Sequence, residues 1–157
     1  MLNRRADALR MVAERVKVDL LRQEIAKPGV NEALRVTVTY HDGRLPDIVA
    51  TLRRGHGSQC MLVVVYDKPA KPLRYEFTIP LERYQAFLAA LRVSQFDTLD
   101  DEPDMPYSGI DLWMIERGSG SFFHDVVLSP ASAKGHHREL VLAVRQHLPE
   151  AIRELAI

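Results

Sequence analysis

A tryptophan and a histidine stand in two neighbouring strand-like segments that a glycine- and serine-rich stretch joins, as in a hairpin. If Arg117 lies opposite Phe122, then Trp113 and His124 are diagonal neighbours on one face of the sheet. An aromatic surface beside a side chain that titrates near neutral pH predicts a ligand pocket, or a general base within reach of a substrate. The competing interpretation is a core tryptophan and a histidine at the sheet edge.

Tyr75 and Glu116 are two further candidates for ligand binding, in a pocket between the helices and the sheet. In the register above, Glu116 faces away from Trp113. The chain contains no nucleophile elbow, no dinucleotide-binding glycine motif and no phosphate-binding loop. We therefore predict no catalytic residue and no cofactor, and an enzyme is the less favoured interpretation.

Residues 97–104 carry five acidic side chains. Their spacing from Asp100 onward resembles part of a calcium-binding EF-hand loop, but Met105 occupies the position that requires glycine, and a strand follows where a helix should. The histidines form no zinc-binding motif, and Cys60 supplies only one thiolate. We therefore predict no metal site, and we interpret the segment as a solvated loop or as an acidic patch that docks a basic partner.

The 157 residues include 21 basic and 21 acidic side chains, so the formal net charge is zero. Residues 1–96 hold 16 basic and 10 acidic side chains, whereas residues 97–157 hold 5 and 11, which together give the same totals. This division permits head-to-tail or heterotypic docking of proteins, while the overall balance argues against a nucleic-acid partner. The longest unbroken apolar run, residues 60–66, is far shorter than the roughly 20 residues that a bilayer requires, so no membrane partner is expected.

The chain has a single cysteine, so it cannot form an intrachain disulfide. Acidic side chains occur within its N-terminal segment, which lacks the continuous apolar stretch of a secretory signal. Both features predict a cytoplasmic protein.

The hydropathy pattern predicts a single α+β domain over residues 1–157. A helix over about 3–27 comes first, followed by the sheet and the remaining helices over 34–157. The order is helix, four strands, helix, two strands, helix, with a mostly antiparallel sheet and helices packed on one face. The third strand is apolar on both faces and should lie inside the sheet. Pro149 should kink the last helix or begin a second short one.

The first predicted helix has apolar residues outside its main stripe. Met11 and Val18 are the two, and such residues suggest a contact surface for a partner or for a second copy of the chain. A charged residue at either position should disrupt assembly and leave the fold intact.

The hairpin and the segment after it resemble small uncharacterised bacterial α+β proteins. In those proteins a Gly-x-Asp-x-x-Trp-x-x-Glu-like strand precedes a second strand that ends in Ser-Pro. The matching residues here are Gly109, Asp111, Trp113, Glu116, Ser129 and Pro130, with Trp113 one position early. The resemblance covers about a quarter of the chain; it implies a bacterial source and an α+β fold, and it implies no activity.

The favoured function is therefore a non-catalytic protein-interaction domain of bacterial origin, which binds itself, as a homodimer would, or another protein. A regulatory or toxin-neutralising role is one version of it. The alternative is a small-molecule binding domain or an enzyme with a pocket near Trp113 and His124.

Overall fold

The computed structural model describes residues 4–152, and for Arg4 the backbone alone. The helices are α1 (Arg4–Arg15), α2 (Leu21–Ile25), α3 (Leu81–Val93) and α4 (His136–His147), and short 3₁₀ helices cover Phe96–Thr98 and Pro149–Ala151. The strands are β1 (Glu32–Thr39), β2 (Ile48–Arg54), β3 (Gln59–Tyr66), β4 (Leu73–Pro80), β5 (Leu112–Ser119) and β6 (Phe122–Leu128). The ends of the predicted domain, 1–3 and 153–157, lie outside the described residues.

The strands form one six-stranded sheet in the order β4-β3-β2-β1-β5-β6, and every neighbouring pair is antiparallel. The predicted α+β class and element order are confirmed. β3 lies inside the sheet, as its apolar sequence indicates, and β4 and β6 are the two edge strands. Pro149 begins a short 3₁₀ helix, which was one of the two outcomes predicted for it.

Helices cover the sheet in two layers. α3 and α4 contact each other on one face, which agrees with the prediction of helices packed on one face. α1 covers the opposite face: Ile48 and Ala50 of β2 belong to the large core with Tyr84 and Phe87 of α3, whereas Val49 between them packs with α1. This division follows from the alternation of side chains along a strand.

The first helical segment is not one helix over 3–27, and in this respect the prediction was wrong. α1 ends at Arg15, and the N–H of Lys17 donates to the Glu14 carbonyl while the N–H of Val18 donates to the Ala13 carbonyl. This pair of bonds, with Lys17 in the left-handed region at φ +59°, is a Schellman helix end. α2 then begins at Leu21. The predicted first residue, Asn3, lies outside the described residues.

The hairpin register also differs from the prediction. β5 continues to Ser119, which pairs with Phe122, so the turn consists of two residues, with Gly120 in the left-handed region at φ +60°. Arg117 therefore lies opposite His124 and not opposite Phe122. A shift of two residues keeps every side chain on its predicted face and changes only its neighbours.

Candidate functional site

Trp113 and His124 share a face of the sheet but are not neighbours. Trp113 pairs with Leu128, whereas His124 pairs with Arg117 at the other end of the hairpin. The four residues from His124 to Leu128 correspond to about 13 Å along a strand. Trp113 is buried at 2% exposure beneath α4. The predicted pocket with an aromatic surface beside a base is therefore not formed by these two side chains.

The ring of His124 contacts the chain that follows α3. Its Nε2–H donates a hydrogen bond to the Leu99 carbonyl oxygen at 2.8 Å. The ring also packs edge-to-face on Phe96, with 5.3 Å between the ring centroids. These contacts hold the loop against the edge of the sheet.

Tyr75 and Glu116 lie in two further places. Tyr75 is on β4, four strand spacings or roughly 19 Å from β5, where it packs edge-to-face on Tyr66 with ring centroids 5.6 Å apart. Glu116 lies on the face opposite Trp113, as predicted, and faces the side covered by α1. Two of the four predicted ligand-binding residues, Glu116 and His124, line one cavity, whereas Trp113 and Tyr75 lie in other parts of the fold.

Glu116 lines a cavity of about 360 Å³ between α1, α2 and the β5–β6 hairpin. Its carboxylate lies 3.9 Å from Nε of Arg10, which also pairs with Asp125. Arg22 closes another side of the cavity, with its guanidinium 4.1 Å above the ring of Phe123. The walls therefore combine both signs of charge with apolar surface.

The ring of Phe123 reaches this position because Gly118 has no side chain. A Cβ on Gly118 would lie 2.9 Å from Cε1 of Phe123 and 3.4 Å from Cδ1 of Ile25 on α2. The glycine thus permits β5, β6 and α2 to approach one another closely at the cavity wall.

A buried arginine lies next to Glu116 in the sheet. Arg35 of β1 is directly opposite Glu116, and its Nε donates to Oγ1 of Thr51 at 2.9 Å, while its Nη2 has no hydrogen-bond partner among the described residues. Burial raises the pKa of Glu116, although Arg35 and Arg10 act in the opposite direction. Burial also lowers the pKa of Arg35, against the effect of Glu116. The two charges compensate each other only in part.

The acidic segment 97–104 covers the outer edge of β6. The N–H of Glu102 donates to the Val127 carbonyl at 2.9 Å, and Oδ1 of Asp101 accepts from the N–H of Val127 at 2.8 Å. A carboxylate oxygen of Glu102 also accepts from the N–H of Ser129. These carboxylates are thus engaged within the fold, and the segment is not simply a solvated loop. Within residues 4–152, no three His, Cys, Asp or Glu side chains are grouped as a metal site requires.

β4 lies at the opposite end of the sheet, and no strand within residues 4–152 pairs with its outer edge. Tyr75 and Phe77 are 46% and 39% exposed, and they lie on the α3–α4 side because they pair with Val64 and Leu62 of the large core. Arg74 and Glu76 project from the other face and form an ion pair at 3.1 Å. We call Leu73–Phe77, with its unpaired backbone, the open edge.

The two residues predicted for an interaction surface differ in their surroundings. Met11 is 56% exposed on α1. Val18 is only half-buried, and it packs against the cluster that contains Val12 and Ala13. Met11 is therefore available for contact, whereas Val18 is also part of the packing of the helix end.

The comparisons with known proteins add no relative. No model of a known protein family matches the chain. A search of curated proteins also finds no match. Within residues 4–152, no helix has both the length and the apolar character needed to cross a membrane.

Proposed function

We propose that this chain is a non-catalytic protein-interaction domain that docks a partner strand along the open edge. The observation that carries the proposal is the position of β4 at the end of the sheet with two exposed aromatic residues, Tyr75 and Phe77. A docked strand would satisfy the outer backbone N–H and C=O groups of β4, which supplies affinity. Side chains on the two faces would then supply specificity.

The aromatic residues supply the apolar part of this contact. Burial of a large apolar side chain contributes about 1.5–3 kcal/mol relative to full exposure. Tyr75 and Phe77 are 46% and 39% exposed, so a docked strand could bury about two-fifths of the surface of each side chain. The other sheet edge is unsuited to the same role, because the loop with Asp101 and Glu102 already occupies part of it. The open edge is therefore the favoured docking surface.

The proposed partner is a second copy of the chain or another protein, and a regulatory or toxin-neutralising role in a bacterial cytoplasm fits such a domain. The resemblance of the hairpin to bacterial proteins supports the source, and the single cysteine supports the compartment. Neither a cofactor nor a nucleic acid takes part in this function.

A native mass spectrum of the protein purified gently from its own cells tests the proposal. The wild type should carry a second polypeptide, and Phe77→Lys should release it because a charged residue on an edge strand opposes strand docking. Leu142→Lys on α4 is the matched control, since Leu142 is also exposed and lies far from β4 in the chain; this variant should keep the partner. A bare wild-type monomer, or a partner that remains on Phe77→Lys, would contradict the proposal.

A small-molecule site in the cavity at Glu116 is the second candidate function. The observation in its favour is a buried carboxylate on a cavity wall that lies 3.9 Å from Nε of Arg10, beyond hydrogen-bond distance. A bound molecule with N–H or O–H groups would donate a hydrogen bond to this carboxylate. The same spectrum would then show a monomer with a few hundred daltons of added mass, lost in Glu116→Gln and kept in Leu142→Lys, because Leu142 does not line the cavity. No added mass in the wild type would exclude this candidate.

A further inference from the structure

The sequence of the open edge points to a particular partner. On β4 the apolar residues Leu73, Tyr75 and Phe77 share one face, and Arg74 and Glu76 share the other. A basic and an acidic residue therefore flank Tyr75 symmetrically. An antiparallel pair of identical strands places residues equally far from its two-fold axis opposite one another.

We infer that the strand docked on the open edge is β4 of a second copy, antiparallel, with the two-fold axis at Tyr75; this inference rests on the proposed function. Arg74 then lies opposite Glu76 of the second copy, and Glu76 lies opposite Arg74 of the second copy. Leu73 lies opposite Phe77 of the second copy on the other face. Charged residues meet opposite charges, and apolar residues meet apolar residues.

The neighbouring registers lack this match. If the α3–α4 faces of both copies stay on the same side of the joined sheet, the two-fold axis must lie between a residue and the same residue of the second copy. The pairing can then shift only by two residues at a time, because a shift of one residue would exchange the faces. An axis at Arg74 places two arginines opposite each other. An axis at Glu76 places two glutamates opposite each other. Like charges in directly opposite positions are unfavourable, so the axis at Tyr75 is selected.

The fold also explains why the assembly would stop at two copies. Pairing through β4 joins two six-stranded sheets into one, whose two outer strands are then both β6. The loop with Asp101 and Glu102 already bonds to the outer edge of β6, so this edge does not offer a free template for a third copy. An isologous contact of this kind closes on itself.

Charge reversal on the open edge tests the register. The Arg74→Glu variant places two acidic pairs in its own homodimer, and Glu76→Arg places two basic pairs, so each should dimerise at least tenfold more weakly than the wild type in sedimentation experiments at low salt. The double variant restores both opposite-charge contacts and should recover the dimer. A mixture of the two single variants should form mixed dimers, which native mass spectrometry separates from homodimers by mass.

The outcomes distinguish this inference from the proposed function. A wild type that is monomeric at high micromolar concentration overturns the inference, as does a dimer that both reversals leave unchanged. If Phe77→Lys still releases a partner in either case, the interaction function stands and only the partner or register is wrong. If Phe77→Lys and both reversals leave assembly unchanged, both proposals fail. Circular dichroism of each variant checks that it is folded, and the mixed dimer provides a positive result that a misfolded variant could not give.

Discussion

Glu116 and Arg35 form a pair of opposite charges inside the layer between the sheet and α1–α2. Arg35 is 2% exposed and Glu116 is 9% exposed, so both have lost most of their hydration. Burying an ion costs more than an attraction to one neighbour returns unless hydrogen bonds satisfy the remaining groups. Here Nη2 of Arg35 has no such partner among the described residues, and the pKa of Glu116 is raised by burial.

The Glu116→Gln variant should show this effect as a pH dependence of stability. Because the pKa of Glu116 is higher in the folded state than in the unfolded state, its contribution to stability is fully present below the unfolded value, near 4.5, and is lost as the pH rises through the folded value. The stability of the wild type relative to Glu116→Gln should therefore fall between acidic and neutral pH. Urea unfolding at several pH values measures this difference.

Glu82→Gln on α3 is the control for this experiment, since Glu82 is exposed. The pH-dependent difference from the wild type should be larger for Glu116→Gln than for this control. A constant difference for Glu116→Gln would show that burial does not affect this carboxyl group.

At the scale of elements, the break between α1 and α2 determines which face of the first segment is buried. A single helix over 3–27 would keep one straight stripe, with Val18 outside it. The Schellman end at Lys17 instead turns the chain, and Val18 packs with the cluster that contains Ala13, whose carbonyl accepts from the N–H of Val18. A hydrophobic contact of this kind commonly accompanies the motif.

Charged substitutions at Val18 and Met11 should therefore have unequal effects on stability. Val18→Asp should lower the free energy of unfolding by about 1–3 kcal/mol, because it removes a packed apolar side chain and places a charge against the cluster. Met11→Asp should stay within about 0.5 kcal/mol of the wild type, because Met11 is exposed. Urea unfolding of both variants measures the difference, and equal losses would contradict the assigned packing.

At the scale of the whole molecule, the two edges of the sheet differ in how far other parts of the chain cover them. The acidic loop partly covers β6, whereas no described strand pairs with the outer edge of β4, which also has two exposed aromatic residues. Exposed edges promote association with other strands. The two edges therefore differ in their availability to a further strand, and the proposed docking would use the β4 side.

A dimer through β4 makes the apparent stability depend on protein concentration. Association of the folded state shifts unfolding by mass action, so the Tm of the wild type should rise by several degrees over a hundredfold increase in concentration. For a chain of this size, 1 kcal/mol corresponds to about 2–4 °C. Calorimetry should show this rise for the wild type and a smaller one for Arg74→Glu. A Tm independent of concentration for the wild type would contradict dimerisation.

Much of the secondary structure could be predicted from local patterns. Local patterns indicate the strands, because alternation of apolar and polar residues is typical of a half-buried strand and a continuous apolar run, as in β3, is typical of a strand buried on both faces. Pro80 directly precedes α3, and Pro149 begins the short helix after α4. These signals depend on a few adjacent residues.

The candidate sites depend on contacts between residues that are far apart in the chain, and local sequence patterns do not predict such contacts. The hairpin register separated Trp113 from His124, because the length of a turn sets which residues pair and a glycine- and serine-rich stretch permits more than one length. The position of β4 at the sheet end and the cavity at Glu116 follow from the strand order and from where α1 and α2 pack. Periodicity in the sequence indicates which face of a helix or strand is apolar. Which elements pack against that face depends on the free energy of packing the whole chain, and only the tertiary structure shows it.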